Sequence, residues 1–212
     1  LPCAFIFINT NDFLVSNIAR CYSENGLCCA INRNGEIIKA LSNSYIDNFE
    51  NLNTRVNIGG YLSNKKKKSI YNLRVNGQIS EYTECIGGRW GVIDLDGEYL
   101  IPPKYKFLQK QFKNEYIAED LKGKWGVITS NDSVKIDFKY NEIRYFSSNI
   151  GLWLDIPYYI VKKGNKWGVI DSANNKIINF EYEKIEYIGN NNKHYFKIRK
   201  NKKYGVIDAN QN

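Results

Sequence analysis

Chemistry-bearing residues are few in this chain, and their spacing argues against catalysis. The single histidine, His194, stands in Asn190-Asn191-Asn192-Lys193-His194-Tyr195 without a partner motif, so a His-dependent triad or acid-base pair has nothing to build on. Cysteines occupy positions 3, 21, 28, 29 and 85 with no Cys-x-x-Cys spacing. Cys28 and Cys29, adjacent on a strand, would point to opposite faces and so could not share a metal ion. Asp94, Asp171 and Asp208 each follow an aromatic position by four residues and invite a reading as calcium ligands or general acids. They precede turns, however, where an Asp carboxylate accepts backbone N–H groups, and the denser acidic pattern of a calcium loop is missing. The expectation is therefore no catalytic residue, no metal, no cofactor and no enzyme.

Two further sets could touch a partner. Trp90, Trp125 and Trp167 recur in register, and their π-faces could stack sugars or bases; inside a strand motif, burial in the core is the expected fate. Lys65, Lys66, Lys67 and Lys68 form the sharpest basic cluster, either a solvated hairpin tip or an electrostatic footprint for phosphate or an acidic surface. Trp153 and Leu154, near Pro157, lie in an insertion between repeats and complete the candidate partner-binding set, since aromatic anchors dominate recognition surfaces.

What must position these residues is a repeat. Arg89-Trp90-Gly91-Val92-Ile93-Asp94 returns as Lys124-Trp125-Gly126-Val127-Ile128-Thr129, as Lys166-Trp167-Gly168-Val169-Ile170-Asp171, and as Lys203-Tyr204-Gly205-Val206-Ile207-Asp208. Seven residues after each Trp comes Gly97, Asp132 or Asn174; eleven after it, Ile101, Ile136 or Ile178; fifteen after it, Tyr105, Tyr140 or Tyr182; then Leu108, Ile143 or Ile185. Fixed offsets imply a repeated backbone path. The residue types at the first offset tolerate positive φ and close hairpins. On a strand, Trp and Val face one side and Gly and Ile the other, so both faces should be covered and the Gly should admit close approach.

This pattern, with the Ile101-Pro102-Pro103-Lys104-Tyr105 segment, resembles the WG-repeat (KWG-repeat) family over about residues 85 to 212. The resemblance implies repeat architecture and a bacterial-type interaction module, and assigns no catalytic residue. The expected fold is all-β: tandem antiparallel hairpin or meander repeats of about 35 to 42 residues in a solenoid-like or propeller-like array. Residues 85–212 carry the units starting near Arg89, Lys124, Lys166 and Lys203; residues 1–84 read as degenerate copies packed onto the array, with one continuous domain as the alternative. Within 1–84, Phe5 to Ile8 reads as a strand with a turn at Thr10-Asn11-Asp12 and a return strand at Phe13 to Val15, Cys28 to Ile38 matches Trp90 to Leu100, Ile70 to Ile79 reads as another copy around Asn76-Gly77, and Asn43 to Asn64 reads as irregular.

The chain has 212 residues, net charge +8, and 14% aromatic residues. The longest apolar stretch, Cys3 to Ile8, is far short of the roughly 18 residues that span a bilayer. The chain begins at Leu1 and contains no Met, which suggests a start after a processing site or excision from a longer protein. An odd cysteine count rules out complete internal pairing, and buried free thiols in a reduced cytosol are favoured over one bridge among Cys3, Cys21 and the Cys28/Cys29 pair. These readings point to a non-catalytic module for protein recognition or sensing. The alternatives are binding of nucleic acid or another polyanion through a basic, aromatic-rich surface, and a carbohydrate-binding or carbohydrate-active β protein.

Overall fold

The computed structural model describes residues 5–8, 17–23, 28–41, 44–47, 53–68, 74–75, 78–79, 81–110, 115–144, 158–189 and 193–212. All regular structure among them is β-strand. The chain divides into two units, Leu1–Lys68 with Glu81–Leu108, and Ser69–Ser80 with Gln109–Asn212.

In the first unit, Phe5–Ile8 (β1), Ile18–Ser23 (β2), Cys28–Asn32 (β3) and Ile37–Leu41 (β4) form one sheet in that order. Ser44–Ile46 (β5) and Asn53–Lys68 (β6) open the next. Next in sequence, Arg74–Val75 (β7) and Gln78–Ile79 (β8), which belong to the second unit, form a two-stranded ladder of their own, and Glu81–Asp94 (β9) and Tyr99–Tyr105 (β10) then complete the first unit's order β10-β9-β6-β5. Phe107–Lys110 (β11), Glu115–Glu119 (β12), Trp125–Thr129 (β13) and Val134–Tyr140 (β14) make a third four-stranded sheet. Glu142–Arg144 (β15), Tyr158–Lys163 (β16), Lys166–Asp171 (β17) and Lys176–Tyr182 (β18) make a fourth. Lys184–Tyr187 (β19), Tyr195–Lys200 (β20) and Lys203–Asp208 (β21) form the last, with three strands.

The fold is thus all-β, a succession of antiparallel meanders. The Trp-Gly strand is the third strand of its sheet, as β9, β13 and β17, and not the first. Each period that starts at a Trp therefore supplies the last two strands of one sheet and the first two of the next. Sequence shows the period but not its phase.

Side-chain alternation and register explain why these offsets recur. Trp90, Trp125 and Trp167 pair with Tyr105, Tyr140 and Tyr182, and Val92, Val127 and Val169 pair with Ile101, Ile136 and Ile178. Two positions on the Trp strand thus oppose a four-residue step on its partner, and the register shifts between them. A bulge of this kind bends its strand toward the neighbour. It carries the carbonyl oxygens of Ile101, Ile136 and Ile178 over the motif glycines: a Cβ at Gly91, Gly126 or Gly168 would meet them at 2.5, 2.6 and 2.8 Å. Glycine is required there by space. Ile101, Ile136 and Ile178 are themselves fully buried, as are Leu108 and, nearly so, Ile143 and Ile185; full burial of such a side chain contributes about 1.5–3 kcal/mol.

Two expectations for the N-terminal part are corrected. Residues 53–64 are regular: Asn53 to Ile58 pair in unbroken register with Asp94 to Arg89, so the Trp strand itself templates this polar stretch. Across that ladder Gly59 and Gly60 lie near Gly87 and Gly88, and the buried Asn57 amide donates to the Gly87 carbonyl at 3.2 Å. The stretch from Ile70 to Ile79 does keep a hairpin, with β7 paired antiparallel to β8, but among the described residues these two strands join no third strand, as a full repeat copy would. The Cys28 to Ile38 match does hold: β3 is a third strand followed by the same turn, with Gly35 at φ 82°. Phe5–Ile8 is a strand; the suggested return strand at 13–15 lies outside the described residues.

Candidate partner-binding surface

The turn after each third strand is built by one side chain. Asp171 Oδ1 accepts the N–H groups of Ala173 (2.9 Å) and Asn175 (2.8 Å). Asp94 and Asp208 accept the equivalent pairs, and Asn32 does so in the first sheet. Thr129, where the Asp is replaced, accepts Ser133 N–H through Oγ1 at 3.3 Å. The Asn175 side-chain amide leads the interactions that lower the Asp171 carboxyl below its usual range, and the Asn212 backbone N–H leads at Asp208. Asp120, in the hairpin between β12 and β13, accepts Lys122 and Lys124 N–H in the same way, a turn the spacing analysis did not single out. The recurring carboxylates are turn formers.

The indoles are occupied too. Trp90 and Trp167 are buried, and Trp125 is half-buried, more open than a core assignment for all three required. A guanidinium lies over two of the rings: Arg55 Cζ is 5.0 Å from the Trp90 centroid, and Arg144 Cζ is 4.1 Å from that of Trp167. Each guanidinium is held by a carboxylate, Arg55 Nε donating to Asp47 at 2.8 Å and Arg144 Nε to Glu142 at 2.8 Å. Tyr204 carries a weaker copy, with Arg199 Cζ at 5.7 Å and Arg199 paired to Glu183 at 3.2 Å. This acid–Arg–ring stack escaped the sequence reading, because Asp47 with Arg55, and Glu142 with Arg144, sit at different offsets from their rings.

Of the residues singled out for partner contact, the backbone of Lys65 to Lys68 ends β6, with Lys66, Lys67 and Lys68 opposite Thr83, Tyr82 and Glu81. The cluster is therefore in a strand and not at a hairpin tip, and its side chains lie outside the described residues. Trp153 and Leu154 lie outside them as well. Other basic groups are engaged with acids, including Lys135 with Glu115, Lys184 with Glu186, and Lys200 with Glu181. His194, unpartnered in sequence, meets the Tyr187 hydroxyl at Nδ1 (2.8 Å) and the edge of Tyr158. Cys21, Cys28 and Cys29 are buried thiols that form no disulfide; Cys21, whose Sγ donates to the Cys29 carbonyl, is pushed up to about 12, mainly by burial.

Among the described residues, the most open apolar group in the second unit is on the last sheet. Tyr204 and Val206, equivalent to the buried Trp167 and Val169, are 61% and 57% exposed. Tyr195 and Ile188 add to this face. β21 pairs only with β20 among the described residues.

The WG-containing repeat profile matches residues 90–124, 125–167 and 167–204, more than half of the chain. The chain belongs to the WG-containing repeat family. Each matched segment starts at a motif Trp, so the family unit has the phase of the sequence period. No curated protein matches the sequence. Among solved structures, dihydro-heme d1 dehydrogenase NirN aligns at 9% identity and TM-score 0.39, over 93% of this chain and 43% of that one. BamB from Moraxella catarrhalis aligns at 10% identity and TM-score 0.32, over 91% and 69%. The computationally designed Ika8 protein aligns at 11% identity and TM-score 0.35, over 99% and 72%. The WG-repeat chain thus spans less than half the length of NirN.

Proposed function

We propose that this WG-repeat chain is a non-catalytic protein-recognition module. The observation that carries the reading is where its exposed apolar side chains remain. The buried indoles and paired basic groups are occupied within the fold, which leaves no ready stacking ladder among the described residues, whereas Tyr195, Tyr204 and Val206 face solvent on one sheet. Apolar and aromatic groups of this kind supply the anchors of protein interfaces. A photoreactive residue in place of Tyr195, used to cross-link in the native cells, is expected to retain a protein after nuclease treatment and washing at raised salt. Recovery of nucleic acid alone, with affinity falling steeply as salt rises, overturns the reading in favour of polyanion binding.

A further inference from the structure

We infer that Cys21 and Cys29 are a redox pair, which a low-molecular-weight disulfide converts into one cross-strand bond that staples β2 to β3. The pair lies in the first unit and does not depend on the exposed face of the last sheet. Two observations join these cysteines, and a third sets when they react.

The first is register. β2 and β3 pair without interruption, from Ile18 with Asn32 to Tyr22 with Cys28, which sets Cys21 directly opposite Cys29. Residues so placed have Cα atoms about 4.5–5.5 Å apart, within the roughly 4.4–6.8 Å that a disulfide spans. Cys21 Sγ already reaches across the ladder to the Cys29 carbonyl at 3.5 Å, and the two thiols share a side-chain hydrogen bond.

The second is the face each thiol occupies. Successive residues of a strand point to opposite sides of the sheet. Ala19, Cys21, Cys29 and Ile31 form one buried cluster, whereas Cys28 packs in another with Ile18, Ala30, Ile46, Val56 and Ile93. In the ladder Cys28 stands opposite Tyr22, and Cys85 belongs to β9, in a different sheet, opposite Leu62. Among the described cysteines, Cys21 and Cys29 alone are placed to join.

The third is enclosure. Both residues are 0% exposed, and burial pushes the Cys21 thiol up to about 12, so neither thiolate nor oxidant is available while the sheet is closed. Reaction belongs to the open sheet. There one cysteine gives its proton to solvent and its thiolate attacks a sulfur of a small disulfide such as oxidised glutathione; the old S–S bond breaks, a mixed disulfide forms and one small thiolate leaves. The second cysteine, deprotonated in turn, attacks the protein sulfur of that mixed disulfide, the Cys21–Cys29 bond forms, and the other small thiolate leaves. Two protein thiols are thus oxidised by two electrons, and one small disulfide is reduced to two thiols that take up the released protons. Closure of the sheet then shields the bond as it shielded the thiols, so the pair keeps a record of the redox conditions under which the sheet last closed.

The test incubates the native full chain with oxidised glutathione, quenches in acid, alkylates the remaining thiols and maps bridges by mass spectrometry under non-reducing conditions. Two of the five cysteines should leave the thiol pool, joined as Cys21–Cys29. Urea below the unfolding transition should speed bridging and the amide exchange of β2 and β3 together. Once bridged, those amides should exchange about ten-fold more slowly, until a reductant restores the original rate. Cys21→Ala should leave Cys29 as a glutathione adduct, and Cys28→Ala should leave bridging unchanged. The map of the unsubstituted chain decides the matter even where a variant fails to fold. A bridge through Cys3, Cys28 or Cys85 overturns the proposal. So do glutathione adducts that never close in the unsubstituted chain, five free thiols after the β2 and β3 amides have fully exchanged, or bridging indifferent to urea.

Discussion

At the scale of single residues, the motif separates into groups with different physical duties. Trp167 is buried under Arg144, so Trp167→Ala should cost about 3–5 kcal/mol, read from denaturant midpoints. Trp125, half-buried, should cost less under the same measurement. Gly168→Ala should destabilise by about 1–3 kcal/mol because the Ile178 carbonyl cannot withdraw without breaking its ladder. The turn carboxylates give a pH prediction. Asp171 and Asp208 are lowered in the folded state by hydrogen bonds from Asn175 and Asn212, so the stability they contribute is complete above the ordinary carboxylate value of 3.8 and is lost as pH falls through their lower folded values. Asp171→Asn retains the accepting oxygen and should flatten part of the acid limb in a melting-temperature scan; an unchanged limb would contradict the assignment. The Asp and Gly duties were legible in the sequence because one period repeats both. The Arg stacks were not, because their offsets vary and only the packed sheets bring Arg55 or Arg144 over a ring.

At the scale of elements, the hairpins carry the local instructions. Asn201 and Lys202, which join β20 to β21, both have positive φ, 51° and 64°, the two-residue turn whose twist suits antiparallel strands. Asn tolerates that region and Lys does not, so Lys202→Gly should raise stability by about 1 kcal/mol, visible as a higher melting temperature. Strand identity and turn positions from Arg89 onward followed from apolar alternation with Gly, Asp and Asn at fixed offsets. The phase did not, because a strand's place within a sheet depends on which neighbours its edges meet, and composition carries no record of that. The N-terminal misreadings have a related cause. Asn53 to Ile58 is too polar to announce itself, yet it pairs residue for residue with the Trp-bearing β9, while the persuasive Asn76-Gly77 signal sits beside a mere two-residue ladder.

At the scale of the whole molecule, stability in an array of this kind is shared between neighbours, and within the second unit the sheet with three described strands should open first. Amide exchange is expected to be faster in β21 than in β17, though both carry the same Gly-Val-Ile-Asp; equal protection of the two would contradict an open edge. The offset between sequence period and sheet has another outcome. Because every unit donates half of two consecutive sheets, neighbouring sheets overlap along the polypeptide like shingles, and removal of one whole period splices matching halves together. Excising residues 125–166 would join Lys124 to Trp167 and leave β11, β12, β17 and β18 as a complete sheet. Recombination between copies can therefore lengthen or shorten such a gene without leaving any sheet half-built at the seam.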